Sequence, residues 1–268
     1  MHRFTLPLVI AGCVALAAIL TWLAVSHTSF GRRVPSTSAA AREAPVVQAL
    51  PPFHRLDLSG TAEVELVQAD AESVSLPAGA SRSGYLSAEV RDGTLYLEST
   101  DASHWWDMVI GDGEHTQKVV VSFKNLDAIT AAGTTRLSAA RLKADSLKVS
   151  GAGGTLIRID DLAARELRLT GAGALRADVA GRVTEQSVTI TGAGDFRGAK
   201  LVSQDATVTV AGAGKVVVNA EKTLKATISG AGSVEYLGDP EVTERVSGAG
   251  RVRRREAASH MRIVAVAD

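Results

Sequence analysis

A three-residue phrase recurs through the second half of the sequence. It reads Ala-Ala-Gly at 131–133 and Gly-Ala-Gly at 151–153, 171–173, 192–194, 212–214, 230–232 and 248–250. Its first residues lie 20, 20, 21, 20, 18 and 18 apart. Self-similarity at a near-fixed period marks a repeat architecture, in which each unit buries its apolar face against its neighbours. A unit of about 20 residues is too short for a strand–helix–strand crossover of roughly 30, and no useful stretch has a 3.6-residue apolar period. The spacing predicts an all-β chain, a right-handed parallel β-helix (β-solenoid) with rungs of roughly 18–21 residues. Its handedness is the one parallel crossovers strongly prefer.

The columns that flank the phrase support strands. Two positions before it stand Ile129, Val149, Leu169, Ile190, Val210, Ile228 and Val246, and four before it Asp127, Leu147, Leu167, Val188, Val208, Ala226 and Glu244. Between them run Ala128, Lys148, Arg168, Thr189, Thr209, Thr227 and Arg245. This alternation is that of a strand with one buried face. The residues just before the phrase, Thr130, Ser150, Thr170, Thr191, Ala211, Ser229 and Ser247, predict a ladder of hydroxyls in stacked strands. A second apolar stretch follows each phrase, so the glycines are expected at a corner between two strands. In the last repeat Arg251, Arg253, Arg254 and Arg255 are read as replacing aliphatics, a cap against end-to-end stacking.

The N-terminal stretch is of another kind. Arg3 precedes an apolar run from Phe4 to Val25 broken only by Thr5, Pro7 and Thr21, long enough to span a bilayer. Residues 1–26 read as an N-terminal helix. It is either an uncleaved transmembrane anchor or a cleaved signal peptide ending at Ala24-Val25-Ser26. Ile10-Ala11-Gly12-Cys13 also has the look of a lipoprotein signal that would lipidate Cys13. Under each reading the rest of the chain is exported, periplasmic or at the cell surface, and the anchor reading tethers it to the inner membrane by residues 4–25. Cys13 is the single cysteine, so the exported part has no disulfide, cysteine nucleophile or cysteine zinc site.

Residues 27–52, with Pro35, Pro45, Pro51 and Pro52, read as an extended tether. A single β-solenoid domain is expected over 53–256, with irregular rungs at 53–126, regular ones at 127–256, and a tail at 257–268. Strand candidates in the irregular part are 53–58, 62–67, 73–76, 85–90, 94–98 and 118–123. Arg91-Asp92-Gly93-Thr94 reads as a hairpin turn, and Ser59-Gly60-Thr61 as a degenerate echo of the phrase.

Three stretches together carry a family resemblance: Phe53-His54-Arg55-Leu56-Asp57-Leu58-Ser59-Gly60, Glu89-Val90-Arg91-Asp92-Gly93-Thr94-Leu95-Tyr96-Leu97, and the Ser/Thr-Gly-Ala-Gly repeats. Over about 53–250 the chain resembles the bacterial GIN-type domain, also labelled "putative auto-transporter adhesin head domain". The resemblance implies a parallel β-helix in the bacterial envelope and brings no catalytic motif with it.

Chemistry is sparse. The six histidines show no metal-ligand spacing on one helix, and Gly-Ala-Gly lacks the third glycine and following helix of a dinucleotide site. No cofactor, nucleotide or metal is expected. With 29 basic and 29 acidic residues, nothing points to nucleic acid. The one unusual patch is 101–115, with His104, Trp105, Trp106, Asp107 and His115 in a chain only 4% aromatic. It reads either as a hydrophobic cap or as a binding loop, whose aromatic faces suit sugar rings and whose His and carboxylates suit hydroxyls or, as the lesser alternative, a metal ion. Asp160, Asp161, Asp195 and Asp239 lie in or near turns and form no visible stack. The Arg251–Arg255 cluster could meet lipopolysaccharide phosphates or an acidic partner, besides its reading as a cap. The expected role is a non-enzymatic envelope module for binding, adhesion or scaffolding. Its partners would be a polysaccharide or an envelope or surface protein, with the membrane contacted through the N-terminal segment. The alternatives are a β-helix hydrolase or lyase acting on polysaccharide, and a self-assembling structural protein.

Overall fold

The computed structural model describes residues 46–76, 86–99 and 118–256, all within one compact unit, Glu43–Asp268. The expected anchor or signal helix (1–26), the tether before residue 46, the 101–115 patch and the 257–268 tail lie outside the described residues.

The described chain is all-β. Its strands are β1 (Val46–Ala49), β2 (Arg55–Gln68), β3 (Ser73–Leu76), β4 (Leu86–Arg91), β5 (Thr94–Ser99), β6 (Lys118–Phe123), β7 (Ala128–Ala139), β8 (Leu142–Gly212), β9 (Lys215–Gly230), β10 (Ser233–Leu237), β11 (Glu241–Gly248) and β12 (Arg251–Arg254). They join in one open sheet whose path ends at β1 and β12. The regular part pairs each repeat with the next in parallel. Ala128 faces Lys148 and Ala139 faces Ile159, an offset of 20 residues. Later Val208 faces Ala226, an offset of 18. Each repeat is thus one layer, and its inward aliphatics pack on those of the layers beside it. Leu147, Val149, Leu167, Leu169, Val188, Ile190, Val208 and Val210 are all buried in a single core.

The layers do not align phrase on phrase. The glycine with positive φ is the third residue of 131–133, 151–153 and 171–173 but the first of 192–194, 212–214, 230–232 and 248–250. These glycines form one column in space. A Cβ on Gly153 would stand 2.7 Å from Gly133 O, one on Gly192 3.1 Å from Gly173 O, and one on Gly212 2.5 Å from Gly192 O. Gly60 opens the column, paired with Gly133, as the echo at 59–61 predicts. Between Gly173 and Gly192 the phrase has slipped by two residues along its layer. Since side chains alternate with period two, such a slip leaves every inward residue inward.

The second glycine of each phrase supplies space instead of backbone freedom. Before the slip, the inward position two residues ahead of the column glycine is small (Ala131, Gly151, Gly171), and the one two residues after it is larger (Thr135, Thr155, Leu175). After the slip the order reverses: Ile190, Val210 and Ile228 precede, and Gly194, Gly214 and Gly232 follow. The pairs touch. A Cβ on Gly171 would meet Leu175 Cδ2 at 2.4 Å, one on Gly194 would meet Ile190 Cγ2 at 2.7 Å, and one on Gly214 would meet Val210 Cγ1 at 3.1 Å. In each layer the corner takes its larger side chain from one side only, before or after the column glycine.

The N-terminal end departs from chain order. Residues 53–58 and 62–67 are not two strands but one, β2, bent at Gly60 with φ +90°. Along one edge β2 pairs in parallel with β5 and β6, and along the other with β7. The layer built from β5 and β6 therefore lies outside β2 although it comes later in the chain. Around it the pairing turns antiparallel: β4 with β5 through the Asp92–Gly93 turn, β3 with β6, and β1 with β3. Asp92 and Gly93 have φ of 49° and 69°, as a two-residue hairpin turn requires. β1 falls inside the stretch expected as tether; its four residues are exposed and it holds on through backbone pairing to β3.

Candidate binding faces

Two outward faces flank the glycine column. On the face before it, the slip rebuilds the expected hydroxyl ladder from two sequence columns. Thr130 pairs with Ser150, and Thr209 with Thr227. The glycine register sets Thr170 beside Thr189 between them. One column then runs Thr130, Ser150, Thr170, Thr189, Thr209, Thr227, bounded by Asp57 opposite Thr130 and Arg245 opposite Thr227. The predicted members Thr191, Ala211, Ser229 and Ser247 belong to a different column at the exposed corner. Lys148 and Arg168 likewise leave the threonines, and fall in register with Thr207 and Lys225.

The face after the glycine column carries charge of both signs. Arg136 meets Glu63 at 3.4 Å, Arg176 meets Asp195 at 3.7 Å, and Arg197 reaches Asp195 at 2.8 Å and Asp178 at 3.8 Å. These are exposed pairs, each worth little to stability. They do engage the carboxylates that the sequence places in or near turns. Asp160 is held by Arg158 at 2.9 Å, Asp161 by Arg141 at 3.6 Å and Asp239 by Arg254 at 3.0 Å. Asp57 alone among the described carboxylates is pushed upward in pKa, by partial burial and then by the charge of Glu98.

At the C-terminal end this face closes into a depression of about 430 Å³ lined by Lys215, Glu235, Arg253, Arg254 and Arg255. Glu235 forms its floor and is 5% exposed. Arg253 donates a hydrogen bond to Glu235 Oε1, while Lys215 and Arg255 stand 3.6 and 3.8 Å from its oxygens. Its carboxyl is held below the usual range, first by the Arg253 hydrogen bond and then by the charges of Lys215, Arg253 and Arg255, against the opposing effect of burial. Here the cap expectation needs correction. Arg251 and Arg253 sit in outward columns, opposite Ser233 and Glu235, and Val252 keeps the inward place opposite Val234. Arg254, paired with Tyr236 in register with the buried Val218, is the arginine that ends an aliphatic column. The arginine run was legible in the sequence. Glu235 joins it because Val217, Glu235 and Arg253 repeat at 18 residues in one column, and Lys215 because it repeats in the same way with Ser233 and Arg251.

His104, Trp105, Trp106, Asp107 and His115 lie outside the described residues. Their flanks are fixed, however: Glu98 faces Ser59 and Lys118 faces Glu63. Among the described residues no group of acids and histidines could hold a metal ion, and no helix is long and apolar enough to cross a membrane.

The sequence profile of the family described as "Putative auto-transporter adhesin, head GIN domain" matches residues 52–240. The chain belongs to this head GIN domain family. Among solved structures, its fold is shared by a "putative adhesin" from Bacteroides fragilis NCTC 9343 (TM-score 0.68, 16% identity, 79% of this chain and 96% of that one). A "putative adhesin" from Parabacteroides merdae ATCC 43184 also shares it (0.60, 18%, 80% and 96%). So does a "putative lipid binding protein" from Parabacteroides distasonis ATCC 8503 (0.59, 19%, 80% and 98%). At these identities the likeness is one of fold. No curated protein matches this GIN-domain chain in sequence.

Proposed function

We propose that this chain is an exported, non-enzymatic binding module of the bacterial envelope, active in adhesion or scaffolding. Its layers would wind as a right-handed parallel β-helix, held at the membrane by residues 4–25 and spaced from it by the stretch before β1. The observation that carries the reading is the hydroxyl column from Thr130 to Thr227, set on a rigid sheet with its members one layer apart, roughly 4.8 Å. A regular row of donors and acceptors suits a repeating polar ligand such as a surface glycan, met through many weak contacts at once. Family membership and the pairing of the face's carboxylates with arginines favour binding over catalysis. The 101–115 patch, with Trp105 and Trp106, would add an aromatic anchor beside the first layers.

The test incubates the full chain with a panel of bacterial and host polysaccharides, assaying retention and new reducing ends together. Retention without cleavage is expected. It should fall in Thr170→Val/Thr189→Val/Thr209→Val and, if the loop takes part, in Trp105→Ala/Trp106→Ala. New reducing ends would overturn the non-enzymatic reading.

A further inference from the structure

At the C-terminal end of the charged face the ion pairing stops balancing. Elsewhere arginines and carboxylates of this face meet in roughly equal number, but Glu235 alone faces Lys215, Arg253 and Arg255. Only Arg253 is within hydrogen-bonding range of it. The contacts from Lys215 and Arg255, 3.6 and 3.8 Å, are close enough for attraction and too long for hydrogen bonds. Their N–H donors are not spent on Glu235. A buried carboxylate at the floor instead holds one guanidinium by a hydrogen bond and draws two further cations to the edge of an open hollow. A second hollow of about 370 Å³ adjoins it, sharing Lys215 and Arg255 and adding Arg197 together with its partner Asp195, a pair that leaves the surplus charge unchanged. Arg254 on the rim is paired to the exposed Asp239.

Such a hollow is wrong for an apolar ligand, because its walls are charged side chains. It suits an oxyanion, since guanidinium forks match tetrahedral and carboxylate oxygens, and that of Arg253 is already held by Glu235. Three cations against one carboxylate leave a surplus of two, close to the charge of a phosphate monoester near neutral pH. A concave site of one sign also concentrates counter-ions. We propose that Lys215, Arg253, Arg254 and Arg255, seated on Glu235, form a binding site for a phosphate-class dianion, free or borne on a lipid headgroup. The proposal deepens the envelope-binding reading and rests on it for the biological source of the ligand.

The experiment is calorimetric titration of the full chain with inorganic phosphate at constant ionic strength, with chloride as the control ion. In a parallel arm, the chain is sedimented with phosphatidylcholine vesicles with and without phosphatidic acid. Binding of one phosphate per chain is expected, weakening as salt is raised. Arg253→Gln/Arg255→Gln should lower the affinity at least roughly tenfold, as loss of charge-assisted hydrogen bonds implies. Lys215→Gln, at a half-exposed position, tests the same surplus without touching the Glu235 hydrogen bond. Glu235→Gln raises the net positive charge but removes the seat of the guanidinium groups, so it should weaken phosphate binding, whereas an unspecific basic surface would bind phosphate more tightly. Preference for phosphatidic acid vesicles assigns the headgroup source, and binding of free phosphate alone assigns the soluble one. Absence of binding in both arms, or binding unchanged in all three variants, overturns the site. Glycan retention without phosphate binding would overturn it and leave the adhesion reading in place; phosphate binding without retention would do the reverse.

Discussion

Gly153 and Gly154 are adjacent and have opposite tolerances. Gly153 holds φ at +92°, and a Cβ there would stand 2.7 Å from Gly133 O, a backbone atom that cannot step aside. Gly154 has no positive φ, and the nearest atom to an added Cβ is Thr134 Oγ1 at 3.8 Å. Gly153→Ala should therefore destabilise by at least about 1–2 kcal/mol, the left-handed penalty, before the clash is added. Gly154→Ala should stay within about 0.5 kcal/mol of the parent in urea unfolding. Thr155 gives the contrary case of a buried group with no partner for its Oγ1. Thr155→Val keeps the shape and removes the unmet hydroxyl, so the urea midpoint should rise, by about 1 kcal/mol in free energy. Glu235 sets a pH dependence. Its folded pKa is lowered from 4.5, so its contribution is present above the unfolded value and is lost as pH falls through the folded one. The stability gap between the parent and Glu235→Gln should thus be widest near neutral pH and shrink below about pH 4.5. A gap that stays constant down to pH 3 would contradict this.

At the scale of the element, the phrase and its flanking strands act together, and the corner's exchange of volume is testable as a coupling. Gly171 is small because Leu175 fills the corner from the other side, with Leu175 Cδ2 2.4 Å from where a Cβ would sit. Two layers earlier the same corner holds Ala131 with Thr135. Gly171→Ala should cost roughly 1–3 kcal/mol by overpacking, and Leu175→Thr a similar amount by leaving a void. The double variant should lose less than the sum, with a coupling of at least about 0.5 kcal/mol in a double-mutant cycle. This corner also marks how far the sequence could be read. The strand alternation, the Asp92–Gly93 hairpin and the glycine corner were legible because each is a local constraint on φ or on facing. The two-residue slip was not, because Gly-Ala-Gly reads alike in both directions and a shift of two preserves alternation. Nor was the placement of β5 and β6 outside β2. Leu56, Leu58, Leu95 and Leu97 alternate in the same way, and nothing local to them states which edge of β2 each strand takes. For the basic hollow, the arginine run was visible, while the buried Glu235 beneath it emerged only with the register.

Across the whole stack the two ends are unlike. The first layers are covered by the antiparallel strands β1, β3 and β4. At the other end β11 pairs only with β9 and β12 only with β10 among the described strands, leaving one edge of each unpaired. The core also thins there. Val246 continues the column of Val210 and Ile228 but is 42% exposed, Glu244 stands in register with the buried Ala226, and every residue of β11 except Val242 is exposed. In a stack whose layers contact only their neighbours, stability is a sum of layer and interface terms, and a terminal layer with one interface opens at less cost than an inner layer with two. The pairing of Arg253, Lys215 and Arg255 with Glu235 opposes this by tying β12 to β10 and β9. Amide hydrogen exchange should accordingly rank β11 as the least protected element of the regular part, β12 next, and the layers around Val149, Leu169 and Val188 as the most protected. Glu235→Gln should raise exchange in β12 and leave those central layers unchanged. Equal protection from β7 through β12 would mean that the stack opens as one cooperative body, and a faster β12 than β11 would mean that the Glu235 contacts do not hold the end.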